Sequence, residues 1–137
     1  LGIDRENNLI VIGGGHLGQA IANYANFERR GFYIKAIFDI DPEIIGKEVR
    51  GVRVYSMDEL EDFIKKNDIH IAALAIPKLQ AEEVAKRLVA AGIVGIWNYA
   101  HIDLQVPDNV VVENVHLSES LMRLSYRVNR EMDKTKK

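Results

Sequence analysis

A glycine-rich segment constrains the fold of this chain more than any other feature of its sequence. Residues 13–18 read GGGHLG and match the pattern G-x-G-x-x-G. The preceding residues, Leu9–Ile12, form a compact apolar run that is typical of a buried strand. After the glycines, apolar residues recur at the spacing of one helix face, at Leu17, Ala20, Ile21, Tyr24 and Ala25. A strand that runs into the motif and a helix that begins within it predict a dinucleotide-binding βαβ unit.

The three glycines of the pattern have distinct predicted roles. Gly13 permits the tight turn, Gly15 allows a pyrophosphate to approach the backbone, and Gly18 allows the helix to pack closely on the sheet. The beginning of the helix offers N–H groups and the positive end of a dipole to phosphates. The side chain of His16 would lie over the pyrophosphate, although a solvated loop histidine is the alternative. The predicted cofactor-binding residues of this loop are Gly13, Gly14, Gly15, His16, Leu17 and Gly18.

An acidic residue ends the second predicted strand, at the position that selects between dinucleotides. Asp39 lies 21 residues after Gly18. Its carboxylate can accept hydrogen bonds from the ribose hydroxyls of adenosine, and its charge disfavours a 2′-phosphate. The next residue, Ile40, is apolar, whereas an NADP site would favour an arginine. Asp41 is an alternative for the same role, but with Pro42 behind it, it more readily caps a turn or a helix. The sequence therefore predicts NAD(H) as the cofactor, with Asp39 and Ile40 in the site.

The rest of the chain alternates between strand and helix patterns. Strands are predicted at residues 9–12, 32–38, 52–55, 69–76, 95–98 and 110–112. Ser56 and Glu59 form a capping box before a helix that buries Leu60, Phe63 and Ile64, and Gly92 stops a helix that buries Ala81, Val84, Ala85 and Leu88. The order β-α-β-β-α-β-α-β-β-α predicts an α/β fold with one doubly wound, mostly parallel sheet of Rossmann type, as a single domain over residues 1–137.

Two later strand ends are predicted to line the nicotinamide half of the site. In an open α/β sheet the ligand crevice lies at the carboxyl ends of the strands, so backbone there contributes to it. The residues expected to do so are Ala75, Ile76, Pro77, Asn98, Tyr99 and Ala100. Lys78 and His101 are nearby and could be interpreted as a proton-transfer pair, but a lysine at a helix start and a loop histidine are the preferred interpretation. No catalytic residue is predicted.

Composition excludes several other classes of protein. The chain has 137 residues, a formal net charge of −2 and no cysteine, so disulfides, thiolate metal sites and a global basic field are excluded. The four histidines have no metal-ligand spacing, and no metal is predicted. No apolar run is long enough for a membrane span and no signal peptide precedes the first strand, so a cytoplasmic location without membrane contact is expected.

The chain resembles the cofactor-binding domain of the Rex family, the bacterial redox-sensing transcriptional repressors. The glycine and aspartate signatures are generic to Rossmann domains, but later stretches are more specific to the family. The matching stretches are residues 11–18, 38–42, 89–93, 95–100, 106–107, 112–115 and 121–125. The resemblance implies a sensor that binds NADH or NAD⁺, controls DNA binding according to their ratio, and is not an enzyme.

The resemblance also implies an assembly. It implies a homodimer in which the last helix, about residues 115–133, is exchanged between protomers, and a winged-helix domain, absent from this chain, that binds operator DNA in the full-length protein. Two residues depart from the family pattern, because His116 and Leu117 stand where an aspartate and an aromatic residue are expected. This departure bears on the contact between the last helix and the partner's nicotinamide site.

The apolar face of the last helix independently predicts a dimer. The face consists of Leu117, Leu121, Leu124, Val128 and Met132. Since the sheet already has its own helices, this face would stay partly exposed in a monomer, and its burial between two copies would favour association by several kcal/mol. The alternative is a helix that folds back on its own sheet.

The main alternative function is the cofactor domain of an NAD-dependent dehydrogenase of the sugar-oxidoreductase type. Such enzymes usually place Glu-Lys-Pro after the fifth strand, and this chain has Trp97–Tyr99 there. They also need a substrate domain, for which no residues remain in this chain. A nucleotide-sensing domain of a channel or transporter is a further alternative, but it would be attached to a membrane segment that this sequence does not contain. A methyltransferase shares the glycine loop and the strand-two acid, but nothing downstream favours it.

Overall fold

The computed structural model describes residues 7–23, 30–115 and 117–135. The strands are β1 Asn7–Ile12, β2 Phe32–Asp39, β3 Glu48–Val49, β4 Val52–Ser56, β5 Ile71–Leu74, β6 Gly95–Asn98 and β7 Val111–Asn114. The helices are α1 His16–Ala22, α2 Leu60–Asn67, α3 Lys78–Ala91 and α4 Leu117–Thr135. A 3-10 turn at Met57–Glu59 leads into α2.

The strands form one sheet in the order β3-β4-β2-β1-β5-β6-β7. All neighbouring pairs are parallel except β3 with β4, which is a short antiparallel pair. Without β3 this is the strand order of the dinucleotide-binding α/β fold, whose direction of winding reverses between β1 and β5. The predicted Rossmann fold is confirmed. The crevice at that reversal lies beyond the carboxyl ends of β1 and β5, where the glycine-rich segment begins.

The two faces of the sheet carry separate apolar cores. In one core, α2 and α3 pack on the sheet. Phe38 and Leu74 of the strands and Leu88 of α3 are completely buried in it. The other lies under α1 and contains Val11 and Ile21. Short continuous apolar strands are expected where helices cover both faces of a parallel sheet, and β1, β2 and β5 have this character.

Local sequence signals determine where the helices begin and end. The predicted capping box is confirmed, because the Ser56 hydroxyl and the Glu59 carboxylate both accept backbone N–H groups at the start of the 3-10 turn. The predicted stop is also confirmed, since Gly92 ends α3 with φ of 112°, a conformation that favours glycine. Arg87 of α3 donates two hydrogen bonds of 2.7 Å to the carboxylate of Glu61 and thereby links α3 to α2.

Three details of the sequence prediction are wrong. β3 was not predicted, because a two-residue strand has no periodicity to detect. The strand expected over residues 69–76 is shorter and covers only Ile71–Leu74, because the residues on either side of it are not part of the paired strand. In α1, Ala20 is exposed, and the buried residues are Gly18, Ile21 and Ala22. The glycine itself occupies the sheet-facing position. The predicted helix residues at positions 24 and 25 lie outside the described residues.

The last helix, α4, has no buried side chain among those that the structure describes. Its described side chains, at residues 121, 123–130 and 131–134, are all exposed. The apolar face is uncovered, with exposed fractions of 67% at Leu121, 57% at Leu124, 46% at Val128 and 53% at Met132. The arrangement in which this helix folds back on its own sheet is therefore not the one that the structure shows. His116 lies outside the described residues, and only the backbone position of Leu117 is described.

Candidate functional site

The turn after β1 places the first glycine against two neighbouring strands. Gly13 has φ of 109°, which favours glycine, and its N–H donates to the carbonyl of Phe38 at the end of β2 over 2.8 Å. A Cβ on Gly13 would lie 2.3 Å from the carbonyl oxygen of Ala75, just beyond β5. The turn is thus wedged between the ends of β2 and β5 and has no room for a side chain.

The third glycine of the motif brings α1 close to this turn. A Cβ on Gly18 would lie only 1.7 Å from the carbonyl oxygen of Gly13, and Gly18 is buried. The close packing expected of this residue is therefore present. Gly15 differs from both, because a Cβ built on it meets no atom within 4 Å. Gly15 caps α1 with φ of −74° and is exposed. His16 is exposed, and Leu17 is half-buried against the core under α1.

The carboxylate of Asp39 connects β2 to the glycine loop. Its Oδ2 accepts the N–H of Gly14 at 2.5 Å, and its Oδ1 accepts the N–H groups of Ile40 and Asp41 at 2.7 and 2.9 Å. Three hydrogen bonds from backbone N–H groups hold the carboxylate in one orientation. Asp41 instead accepts the N–H of Glu43 at 2.9 Å in the following turn, as expected of a turn-capping aspartate. Of the two acids, Asp39 is the one in contact with the glycine loop.

The segment after β5 lies directly beside the glycine turn. The N–H of Ala75 donates to the carbonyl of Ile12 over 2.8 Å, and Ala75 and Ile76 are half-buried. The Ile76 Cγ2 atom is 3.2 Å from the point where a Gly13 Cβ would stand. Pro77 then caps α3 and is exposed. The structure therefore brings the predicted residues after β1 and β5 together at one edge of the sheet.

The segment after β6 continues that edge. The N–H of Tyr99 donates to the carbonyl of Leu74 over 3.0 Å, and its ring packs edge-on against Trp97 with the ring centres 5.1 Å apart. Burial raises the pKa of the Tyr99 phenol, so this side chain stays neutral. Ala100 is buried, and Asn98 is completely inaccessible to solvent. The amide of Asn98 is fully engaged with protein groups, which the sequence prediction of a ligand-lining segment did not foresee.

The other titratable candidates do not form a reactive group. Lys78 and His101 are both exposed, and within the described ranges no hydrogen bond joins them. Among residues 7–23, 30–115 and 117–135, no group of three or more histidine or acidic side chains is placed to hold a metal ion. No helix in the described part of the chain is long and apolar enough to cross a membrane.

Comparisons with known proteins agree with this geometry. A family model described as a CoA binding domain matches residues 4–102. The redox-sensing transcriptional repressor Rex of Thermoanaerobacter sp. (strain X514) is 55% identical over 131 residues, which are 96% of this chain and 58% of that repressor. Rex of Clostridioides difficile (strain 630) is 57% identical over 126 residues, 92% of this chain and 60% of that repressor. The chain thus spans about three fifths of the curated relatives that it matches.

Solved structures give the same result. RSP, a Rex-family repressor, in complex with β-NADH has 54% sequence identity and a TM-score of 0.86, over 99% of this chain and 66% of that one. RSP in complex with β-NAD⁺ and operator DNA has 53% identity and a TM-score of 0.85, over 98% and 62%. A UDP-D-quinovosamine 4-dehydrogenase from Vibrio fischeri, at 24% identity and a TM-score of 0.60, shares the fold alone. The chain therefore belongs to the CoA-binding domain family and is a homologue of the C-terminal NAD-binding domain of the Rex repressors.

Proposed function

We propose that this chain is the NAD(H)-sensing domain of a redox-responsive transcriptional repressor. The single observation that carries the proposal is the contact between Asp39 and the glycine loop at the point where the winding of the sheet reverses. A carboxylate, a glycine turn and an open strand edge at this point are the components of a dinucleotide site. The similar structures solved with NADH and with NAD⁺ support the same ligand.

The adenosine half of the ligand would lie at the end of β2. Asp39 Oδ2 accepts one N–H and keeps a second acceptor position, which a ribose hydroxyl can occupy. Ile40 beside it is 79% exposed and offers an apolar contact to the adenine ring. The pyrophosphate would cross the open space at Gly15, and the nicotinamide would lie toward residues 75–77 and 98–100. These contacts are predictions of the site geometry.

A charged carboxylate beside the ribose favours NAD(H) over phosphorylated analogues. NADPH has a 2′-phosphate on this ribose and coenzyme A a 3′-phosphate, and both would lie near Asp39. We expect NADH to bind at least about tenfold more tightly than NADPH, a difference of about 1.4 kcal/mol. Calorimetric titration of the chain with NADH, NAD⁺, NADPH and coenzyme A tests the proposal. Equal affinities for NADH and NADPH would remove the assigned role of Asp39, and tightest binding of coenzyme A would replace the proposed ligand.

We propose that the domain senses the cofactor and performs no reaction on a second substrate. The curated relatives cited above are named as repressors, which supports this view. Incubation of the chain with NADH and a panel of aldehydes, ketones and sugars provides the test. Turnover above about 0.1 s⁻¹, against about 10 s⁻¹ for a typical enzyme, would favour the dehydrogenase alternative.

A homodimer formed through α4 is the proposed assembly. The apolar face of α4 is exposed, and an apolar groove lies on the α1 side of the sheet, where it extends from β1 and β2 over β5 and β6 to β7. The groove is lined by Leu9, Phe32, Ile71, Trp97 and Val111, with Arg30 and Glu113 at its rim. We propose that the occupant of this groove is α4 of a second copy. Burial of four apolar side chains, at about 1.5–3 kcal/mol each, would offset at least part of the free-energy cost of association.

Charge supports the same occupant. Arg30 and Glu113 stand at the groove, and α4 carries exposed arginines at positions 123, 127 and 130 and exposed acids at positions 131 and 133, so each surface offers charges of the opposite sign to the other. Light scattering on the intact chain and on a chain that ends at Asn114 tests the assembly. We expect a dimer for the intact chain and a monomer for the shortened one. A monomer in both cases would reject the dimer, and a dimer in both would place the interface elsewhere.

In the full-length protein we propose that the NADH/NAD⁺ ratio controls operator binding in the cytoplasm. Operator DNA would be bound by a winged-helix domain outside this chain. The chain spans about three fifths of the length of the relatives that it matches. The relevant measurement is the operator affinity of the full-length protein, titrated with NADH at fixed NAD⁺. We expect NADH to release the DNA. DNA binding that is insensitive to both nucleotides would contradict the sensor function.

A further inference from the structure

The buried amide of Asn98 has a role that the fold and the proposed ligand contacts do not explain. Among the described residues it is the one polar residue that is buried, and it has no accessible surface. Its Oδ1 accepts the N–H of Ala100 at 3.0 Å, and its Nδ2 donates to the carbonyl of Ile102 at 2.9 Å. The same Nδ2 donates to Oδ1 of Asn114, at the end of β7, over 2.8 Å.

These three partners fix the orientation of the amide. Both Nδ2 hydrogens have acceptors and Oδ1 has a donor, so a reversed amide would oppose like groups at all three contacts. In its main chain, the carbonyl of Asn98 accepts the N–H of Val115 over 2.9 Å. Asn98 thus holds the loop after β6 against the end of β7. Because its amide hydrogens are all used within the protein, it has none left to donate to a ligand.

The loop that Asn98 holds is the one proposed to line the nicotinamide half of the site. The positions of residues 99–102 follow from the hydrogen bonds to Ala100 and Ile102. The adenosine half would lie at Asp39 and the glycine loop, whereas among the described residues the partners of this amide are Ala100, Ile102 and Asn114. A change in the amide contact should therefore affect one half of the ligand and spare the other.

We propose that Asn98, held in place by Asn114, is a positioning residue for the nicotinamide end of the cofactor. This proposal rests on the proposed function of NAD(H) binding. Asn98 acts through the backbone of the loop rather than by contact with the cofactor. The contact from Asn114 is the part that can be removed without opening the core, because Asn114 is exposed.

The test compares Asn114→Ala with Asn114→Asp in the 137-residue chain. Alanine removes the acceptor for Nδ2, whereas aspartate keeps an oxygen in the same place. Each variant is titrated with NADH and with ADP-ribose, which lacks the nicotinamide. We expect Asn114→Ala to weaken NADH binding by about fivefold or more, since it leaves a buried donor without its partner, and to change ADP-ribose binding by less than about twofold. Asn114→Asp should restore NADH affinity, and Asp108→Ala, an exposed change in the same loop, serves as the control.

Equal weakening for both ligands, or unchanged NADH affinity in Asn114→Ala, would overturn the positioning role. So would a failure of aspartate to restore NADH binding. If the unmodified chain binds ADP-ribose and NADH equally, the nicotinamide half contributes nothing and the proposal is overturned while nucleotide binding stands. If it binds neither, the proposed function itself is wrong.

Discussion

Alanine at Gly15 should leave the free energy of unfolding nearly unchanged, whereas alanine at Gly18 should lower it. A Cβ on Gly15 meets no atom within 4 Å, and φ of −74° is an ordinary value for alanine. Gly15→Ala should therefore change the free energy of unfolding by less than about 1 kcal/mol, because the smaller entropy of the unfolded alanine chain is opposed by the preference for glycine over alanine at a helix N-cap. A Cβ on Gly18 would lie 1.7 Å from the carbonyl oxygen and 2.8 Å from the carbonyl carbon of Gly13, so α1 must move.

The cost at Gly18 should exceed the gain from helix propensity. Alanine in a helix gains about 1 kcal/mol over glycine, whereas forced displacement of packed backbone costs about 1–3 kcal/mol or more. We therefore expect Gly18→Ala to lower the free energy of unfolding. Denaturant titrations of the two variants and the unmodified chain measure both effects. A Gly18→Ala chain as stable as the unmodified one would refute the argument that α1 approaches the turn too closely for a side chain.

Ligand affinity separates the two glycines in a second way. The methyl group of Gly15→Ala would stand in the space proposed for the pyrophosphate, so NADH affinity should fall at least about tenfold, or 1.4 kcal/mol, although the stability of the variant is nearly unchanged. ADP-ribose should lose affinity equally, because it has the same pyrophosphate. Calorimetric titration gives both constants. NADH binding to Gly15→Ala with unchanged affinity would show that the pyrophosphate does not pass over this residue.

Three other predictions follow from individual contacts. Asp39→Ala should weaken NADH binding and bring the NADH and NADPH affinities together, whereas Asp41→Ala should keep the discrimination; calorimetry that shows the reverse would assign the role to Asp41. The hydrogen bond from Arg87 lowers the pKa of Glu61, so this pair stabilises the fold above pH 4.5 and loses its effect as the pH falls through the lowered pKa. Glu61→Gln should remove this pH-dependent contribution to the free energy of unfolding. The contribution is at most about 1 kcal/mol, because both side chains are partly exposed. An unfolding free energy with the same pH dependence in the variant and the unmodified chain would contradict the prediction. Leu124→Glu should prevent dimer formation in light scattering, and a dimer that persists would exclude the apolar face of α4 as the interface.

The sequence predicted the glycine turn well because its requirements are local. A strand must end at the turn, a glycine must adopt positive φ, and a second glycine must admit the helix, and all three follow from residue type and spacing. The structure places Gly13 and Gly18 accordingly. Asp39 could also be chosen over Asp41, since Pro42 behind Asp41 favours a turn. The hydrogen bond from Gly14 to Asp39 could not be predicted, because it depends on the register between β1 and β2.

The role of Asn98 could not be read from the sequence because its partners are distant along the chain. Asn114 lies 16 residues away, and the contact exists only because β6 and β7 are paired in parallel with these two residues in register. The one available signal was a polar residue at the end of an apolar strand, which equally well indicates a ligand contact. Ala20 was misplaced for a related reason. Helical periodicity locates the buried face of a helix from its apolar side chains. In α1 the buried position 18 is a glycine, which has no side chain, so the pattern does not include it.

The placement of the helices explains why α4 is left without cover. The connections that carry α2 and α3 both lie on one face of the sheet. Within residues 7–23 and 30–115, α1 is the one helix on the other face, where Ile44 and Ile45 of the turn after β2 also pack. The segments from β2 to β4 and from β6 to β7 carry no helix in this part of the chain. A doubly wound sheet buries its strands only when both faces are covered, so the half of the α1 face over β5, β6 and β7 remains open. The described part of the chain has one further amphipathic helix, α4, and its described side chains are all exposed. When two copies meet, the exposed apolar face of α4 in each copy can cover the open sheet face of the other, and both surfaces are buried in one two-fold interface.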